Sequence, residues 1–137
     1  MAKKEKQKKT LINYNLENKT VAIVAGDLIR HQSYIKLIKA HHGKPKMIDA
    51  FYHHKKAYKY YSSKLHKANL IIMIQNYTKH NTSYAIAQVI KKSNQSFAVA
   101  NSAGLQAVDR AIYRALNNLP AYDNVNGNVV YPTIAND

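Results

Sequence analysis

A chain of 137 residues with 46% apolar content is long enough for one domain with a buried core, and too apolar for wholesale disorder. Its 21 Lys+Arg against 7 Asp+Glu give a formal charge of +14, which favours anionic partners by long-range attraction and leaves the fold open. It has no cysteine, which excludes disulfides, thiolate metal sites and cysteine nucleophiles together.

The opening stretch "MAKKEKQKKT" has the charge of a signal-peptide start, but "LINYNLENKT" follows where an apolar core would stand. The longest apolar run, Leu70 to Ile74, is too short to span a bilayer, so no membrane span and a cytoplasmic location are expected. Residues 1–18 are expected to form a basic, flexible arm, because Lys3 to Lys9 has nothing to bury. "TVAIVAG" (Thr20 to Gly26) is rich in β-branched residues and closes on glycine, which predicts a buried strand. A helix from about Leu28 to His41 follows, with Ile35, Leu37 and Ile38 inward and Gly43 and Pro45 as stop signals.

"PKMIDAF" predicts a second strand, and "HHKKAYKYYSSKLHK" a basic helix with Ala57, Tyr60 or Tyr61, and Leu65 as inward candidates. "ANLIIMIQN" is the clearest strand. "NTSYAIAQVIKK" predicts a helix capped by Asn81 or Thr82, with Ile86, Val89 and Ile90 inward. "QSFAVAN" predicts a fourth strand. "SAGLQAVDRAIYRALNNL" predicts a fourth helix, with Leu105, Val108, Ile112 and Leu116 on its apolar stripe and Pro120 as its stop. This alternation implies βαβ units. The expected body is a small three-layer, Rossmann-like α/β sandwich over residues 19–118, with a parallel four-stranded sheet in the order 2-1-3-4 and helices on both faces. Residues 119–137, with their Asn126-Gly127 turn signal, are expected to form a C-terminal arm or hairpin.

The charge is uneven. Residues 28–67 hold ten Lys+Arg, one acid and six of the seven histidines. His41-His42 and His53-His54 lack the i, i+4 spacing of a helical metal site and read as basic surface. "KKAYKYY" interleaves lysine with tyrosine, as surfaces that stack bases and meet phosphates do.

Ligands of an open parallel sheet bind beyond the carboxyl ends of its strands, where the strand order reverses. That rule nominates Gly26, Asp27, Arg30 and His31 after the first strand, Asn76, Tyr77, Lys79, His80 and Asn81 after the third, and Asn101, Ser102 and Gly104 after the fourth. Strands one and three are neighbours in the expected order, so the first two sets face each other.

"VAIVAGD", "ANLIIMIQNYTKHNTSYAIAQVIKK" and "SFAVANSAGL" together resemble a family of uncharacterised bacterial domains, domain of unknown function 2325, over roughly residues 20–107. The family pairs a glycine turn after its first strand with a Ser-His or similar step after its third. Here Lys79 replaces the serine before His80, and Tyr77 stands where many members carry cysteine. The resemblance implies a Rossmann-like, self-associating domain, with heme binding as one activity. His80 and Tyr77 are then candidate ligands of heme iron, His31 a partner across the crevice, and Arg30, Lys36 or Lys79 candidate partners of the propionates.

The leading expectation is a non-enzymatic binding or sensing module for an anionic, flat ligand, heme in the first place, that assembles as a homo-oligomer. The alternative is a nucleic-acid-binding accessory protein that uses the 28–67 surface and the lysine arm, although no helix-turn-helix or RNA-recognition signature appears. An enzyme is the least supported class, because spacing singles out no nucleophile–base or carboxylate pair.

Overall fold

Two apolar runs, TVAIVA and LIIMI, become the central strands of one sheet. In the computed structural model these are β1 (Thr20–Ala25) and β3 (Leu70–Ile74), flanked by β2 (Lys44–Asp49) and β4 (Ser96–Ala100). The structure describes residues 12–26, 31–50, 57–75, 80–123 and 129–133, the side chains of 80–82 excepted. All four strands are parallel, in the order β2-β1-β3-β4. Every residue of β3 and all of β1 after Thr20 are buried, as expected of parallel strands covered on both faces. Pro45 sits in β2 opposite Val21, where an edge strand tolerates the missing N–H.

Helix α1 (His31–Ala40) and helix α4 (Leu105–Leu116) cover one face of the sheet; α2 (Ala57–Leu65) and α3 (His80–Lys92) cover the other. Strand side chains alternate between the layers. Ile23, Ile72 and Ala98 pack with Tyr34, Ile38, Val108 and Ile112, whereas Val24, Ile71 and Val99 pack with Tyr61, Leu65, Ile86 and Val89. The expected α/β sandwich and strand order are therefore present.

Several local expectations change. Tyr34, rather than Ile35, is fully buried on α1, and its hydroxyl donates to the Ala103 carbonyl at 2.7 Å, which gives the phenol a partner inside the core. Helix α3 is already running at His80, so Asn81 and Thr82 lie within it and do not cap it. Leu105 is 43% exposed because it opens α4 at the sheet's edge. The basic-surface reading fails for His41, which is buried. One of its ring nitrogens meets the Leu37 carbonyl at 3.0 Å and the other meets the Ile12 carbonyl at 2.9 Å.

At the end of α1, His42 takes the left-handed conformation (φ 65°) and the Gly43 N–H bonds back to the Ile38 carbonyl. Gly43 is needed for close approach. A Cβ there would stand 2.5 Å from Leu16 Cδ1 and 2.9 Å from Ile38 Cγ2.

The body extends past its expected limits. Ile12 and Leu16 are buried, and Leu16 and Asn18 donate their N–H groups to the His41 and His42 carbonyls. The expected flexible arm therefore loses residues 12–18, which are anchored against the end of α1. Ile12 also bridges Thr133, and Val99 on β4 donates to Ala121 at 2.8 Å, so both terminal segments fold back onto the chain's own body. The Asn126-Gly127 turn lies outside the described residues.

Candidate functional site

The carboxyl ends of β1, β3 and β4 lie at one edge of the sheet because the strands are parallel and in register. Beside β4 an open cleft of ≈ 500 Å³ is lined by Asn101, Ser102, Gly104, Arg110, Arg114 and Asp123, with Leu105, Gln106 and Ala107 completing its wall. The chain builds it by leaving β4 through a four-residue bend, Asn101 to Gly104, and turning into α4. Ser102 Oγ accepts the Gly104 N–H at 3.2 Å, and no side chain caps the helix at Gly104. The free N–H groups of the first turn of α4 therefore face the side from which an anion would approach.

The opposite wall is an arginine clamp. Arg114 is fully buried, yet each of its nitrogens has a partner. Its Nε donates to Pro120, one terminal nitrogen to Val99 and Ala121, and the other to the Tyr131 hydroxyl at 3.0 Å. The Asp123 carboxylate lies 3.5 Å from that last nitrogen and accepts from the Tyr131 hydroxyl at 3.2 Å. Burial pushes the Tyr131 phenol above its ordinary range, against the pull of Arg114. Arg110, one turn earlier on α4, is half-exposed at the cleft, 3.9 Å from Asp123, with its guanidinium over the Tyr131 ring. Arg114 is thus saturated by the protein, and Arg110 retains donors for a ligand.

Of the residues nominated from the sequence, Asn101, Ser102 and Gly104 line this cleft. Gly26 follows β1, and His31 opens α1, three residues before Tyr34 and so on the same helix face. Tyr34 is bonded to Ala103 in the bend after β4, whereas His31 is not among the residues that line the cleft. The Nε2 of His31 is buried and has no hydrogen-bond partner among the described residues. Asp27, Arg30, Asn76, Tyr77 and Lys79 lie outside the described residues, as do the His80 and Asn81 side chains.

The sequence reading missed Arg110, Arg114 and Asp123. A signal was available: two of the chain's three arginines stand four residues apart on its last helix, which places them on one face.

One family model, described as uncharacterized proteins conserved in bacteria (DUF2325), matches residues 20–115. The chain belongs to that family. The match begins at β1 and ends one residue short of the end of α4, so it holds the whole sheet, the first three helices, nearly all of α4, and Asn101, Ser102, Arg110 and Arg114. No curated protein and no solved structure matches the chain. Asp123 and Tyr131, which complete the clamp, lie beyond the matched span. No helix among the described residues is long and apolar enough to cross a membrane, and none of their His, Asp and Glu side chains gather in threes to hold a metal ion.

Proposed function

We propose that this DUF2325 chain is a non-enzymatic binding or sensing module that holds an anionic, flat ligand, heme in the first place, at the carboxyl ends of its strands. The cleft beside Arg110 carries the reading. Asn101 and Ser102 offer hydrogen-bonding groups, the uncapped first turn of α4 offers N–H donors, and Arg110 offers a guanidinium suited to a carboxylate or phosphate. No histidine stands among the described residues that line the cleft to activate the Ser102 hydroxyl, which favours holding a ligand over covalent turnover.

The chemistry of His31 fits a heme. Its buried, unpartnered Nε2 is the atom type that heme iron takes as an axial ligand, and Arg110 is the group type that a propionate takes. Bound heme supplies an iron centre whose behaviour towards electrons and small diatomic ligands is set by the surrounding polarity. His80 and Tyr77 remain the other candidate iron ligands on this reading, and Gly26, Asp27, Arg30 and Lys79 the further ligand contacts that the sequence nominates. Self-association belongs to the same reading. The exposed side chains Leu105, Tyr122 and Val130 each line the cleft or adjoin a clamp residue, and sedimentation at a mass above 15.6 kDa would support a contact between copies there.

Titration with hemin at moderate salt tests the proposal. The expected result is a sharp, saturable Soret band that His31→Ala removes and Arg110→Gln weakens. A broad spectrum that never saturates would sink the heme reading. Loss in His80→Ala or Tyr77→Phe, with His31→Ala intact, would move the iron ligand to the β3 side.

A further inference from the structure

From residue 50 to residue 108 the sequence contains eight lysines and no aspartate or glutamate. The fold gathers much of this stretch on one side. Helices α2 and α3 form the layer opposite the cleft, and Lys59, Lys64, Lys67, Lys91 and Lys92 are all exposed on or beside them. The Lys92 ammonium lies 5.2 Å over the Tyr58 ring, which ties the two helices' outer surfaces into one patch, and Lys64 lies 5.6 Å over Tyr60. On α3 the outward stripe reads Tyr84, Ala87, Gln88, Lys91, with Tyr84 71% exposed. Of the described carboxylates, Asp109 and Asp123 stand on the α1–α4 side and Glu17 in the N-terminal segment, while Asp49 ends β2, where its carbonyl accepts the Tyr61 hydroxyl of α2. The +9 block of residues 28–67 is accordingly not one surface, since the sheet separates the lysines of α1 from those of α2.

We infer that the outer face of α2 and α3 is a docking surface for single-stranded nucleic acid. Helices α2 and α3 carry lysines and no aspartate or glutamate, which suits a run of phosphates, and the exposed ring of Tyr84 gives a base a surface on which to stack. The small Ala87 side chain, one turn from Tyr84, leaves room beside that ring. A duplex fits less well, because both helices lie flat on the sheet and neither projects to enter a groove. An anionic membrane fits less well too. Among the described side chains, the exposed positions of these helices are Lys, Ser, Gln, Tyr and the single methyl of Ala87, with no long aliphatic side chain to enter the acyl boundary.

The test is fluorescence anisotropy of a labelled oligo-dT of about 20 nucleotides against the full chain at several salt concentrations. Affinity is expected to fall steeply with salt. Lys64→Glu combined with Lys92→Glu should weaken binding by about tenfold or more. Tyr84→Ala should weaken it by about fivefold or more, and Tyr84→Phe should restore it. The control, Lys39→Glu with Lys44→Glu, makes the same change in net charge away from the patch and should cost no more than about threefold. Equal losses in the two double variants would reduce the effect to net charge and overturn the assignment of a face. Equally tight duplex binding would overturn the preference for single strands. Capture by phosphatidylglycerol vesicles with no oligonucleotide binding would replace the nucleic acid with a membrane.

Discussion

Asp109 is a carboxylate inside an apolar helix face, and its partners explain why it is tolerated there. The Tyr14 hydroxyl donates to it at 2.5 Å and the Ile12 N–H at 3.3 Å, while the Tyr14 ring stacks on His41 with centroids 3.7 Å apart. The cluster fastens the N-terminal segment to α1 and α4. Burial pushes the Tyr14 phenol above its ordinary range, and the adjacent Asp109 carboxylate adds to the shift. Burial also raises Asp109, opposed by Tyr14, His41, the Ile12 amide and Arg110. A folded-state value above the unfolded one means that the native chain holds its proton more tightly. The contribution of Tyr14 is then full below the unfolded phenol value of about 10 and is lost as pH rises beyond it. Urea denaturation across that range should show native stability falling more steeply in the wild type than in Tyr14→Phe. At neutral pH the same variant should be about 1–2 kcal/mol less stable, because it leaves a buried carboxylate short of a donor. Parallel slopes above pH 10 would count against the assignment.

At the scale of elements, β4 is an edge strand whose outer side is covered by the chain after α4. Arg114 joins the two. It holds carbonyls of β4 (Val99) and of the following segment (Pro120 and Ala121), and through Tyr131 and Asp123 it reaches residues 123–131. A lysine has no planar fork and cannot meet these acceptors together. Arg114→Lys should therefore cost on the order of 3 kcal/mol in thermal or urea unfolding, with amide exchange rising first at Val99 and Ala121. The elements themselves were legible in the sequence. β1 and β3 announce themselves because strands buried on both faces must be apolar throughout, and the strand order follows from the crossover rules. Asn101 and Ser102 were legible for the same reason, since a parallel sheet fixes which loops share an edge. The clamp and the Tyr14 cluster were not. Tyr14 and Asp109 are 95 positions apart and leave no periodic trace, and Arg114 resembles any outward helix residue until its acceptors are placed.

The whole molecule carries +14 with two of its described carboxylates, Asp109 and Asp123, already committed to internal partners. Self-repulsion of that size destabilises a compact chain, and screening relieves it: the Debye length falls from about 10 Å at 0.1 M salt to about 3 Å at 1 M. Unfolding midpoints should therefore rise with sodium chloride, whatever the cleft does. A bound anion acts differently. It adds RT ln(1 + [L]/Kd) for a ligand that binds only the folded chain, so its effect saturates and depends on the ion's identity. Phosphate at about 10 mM, compared with chloride at equal ionic strength, separates the two. If Arg110 and the first turn of α4 form an anion site, phosphate gives an extra rise in the midpoint that Arg110→Gln abolishes, while the chloride response stays as in the wild type. The variant must keep the chloride response, because removing one of 21 cationic side chains hardly changes the global repulsion. Identical responses to the two salts in the wild type would mean that the cleft does not hold a simple phosphate. A phosphate increment that persists in Arg110→Gln would place the anion elsewhere on this basic surface, the α2–α3 face being the first place to look.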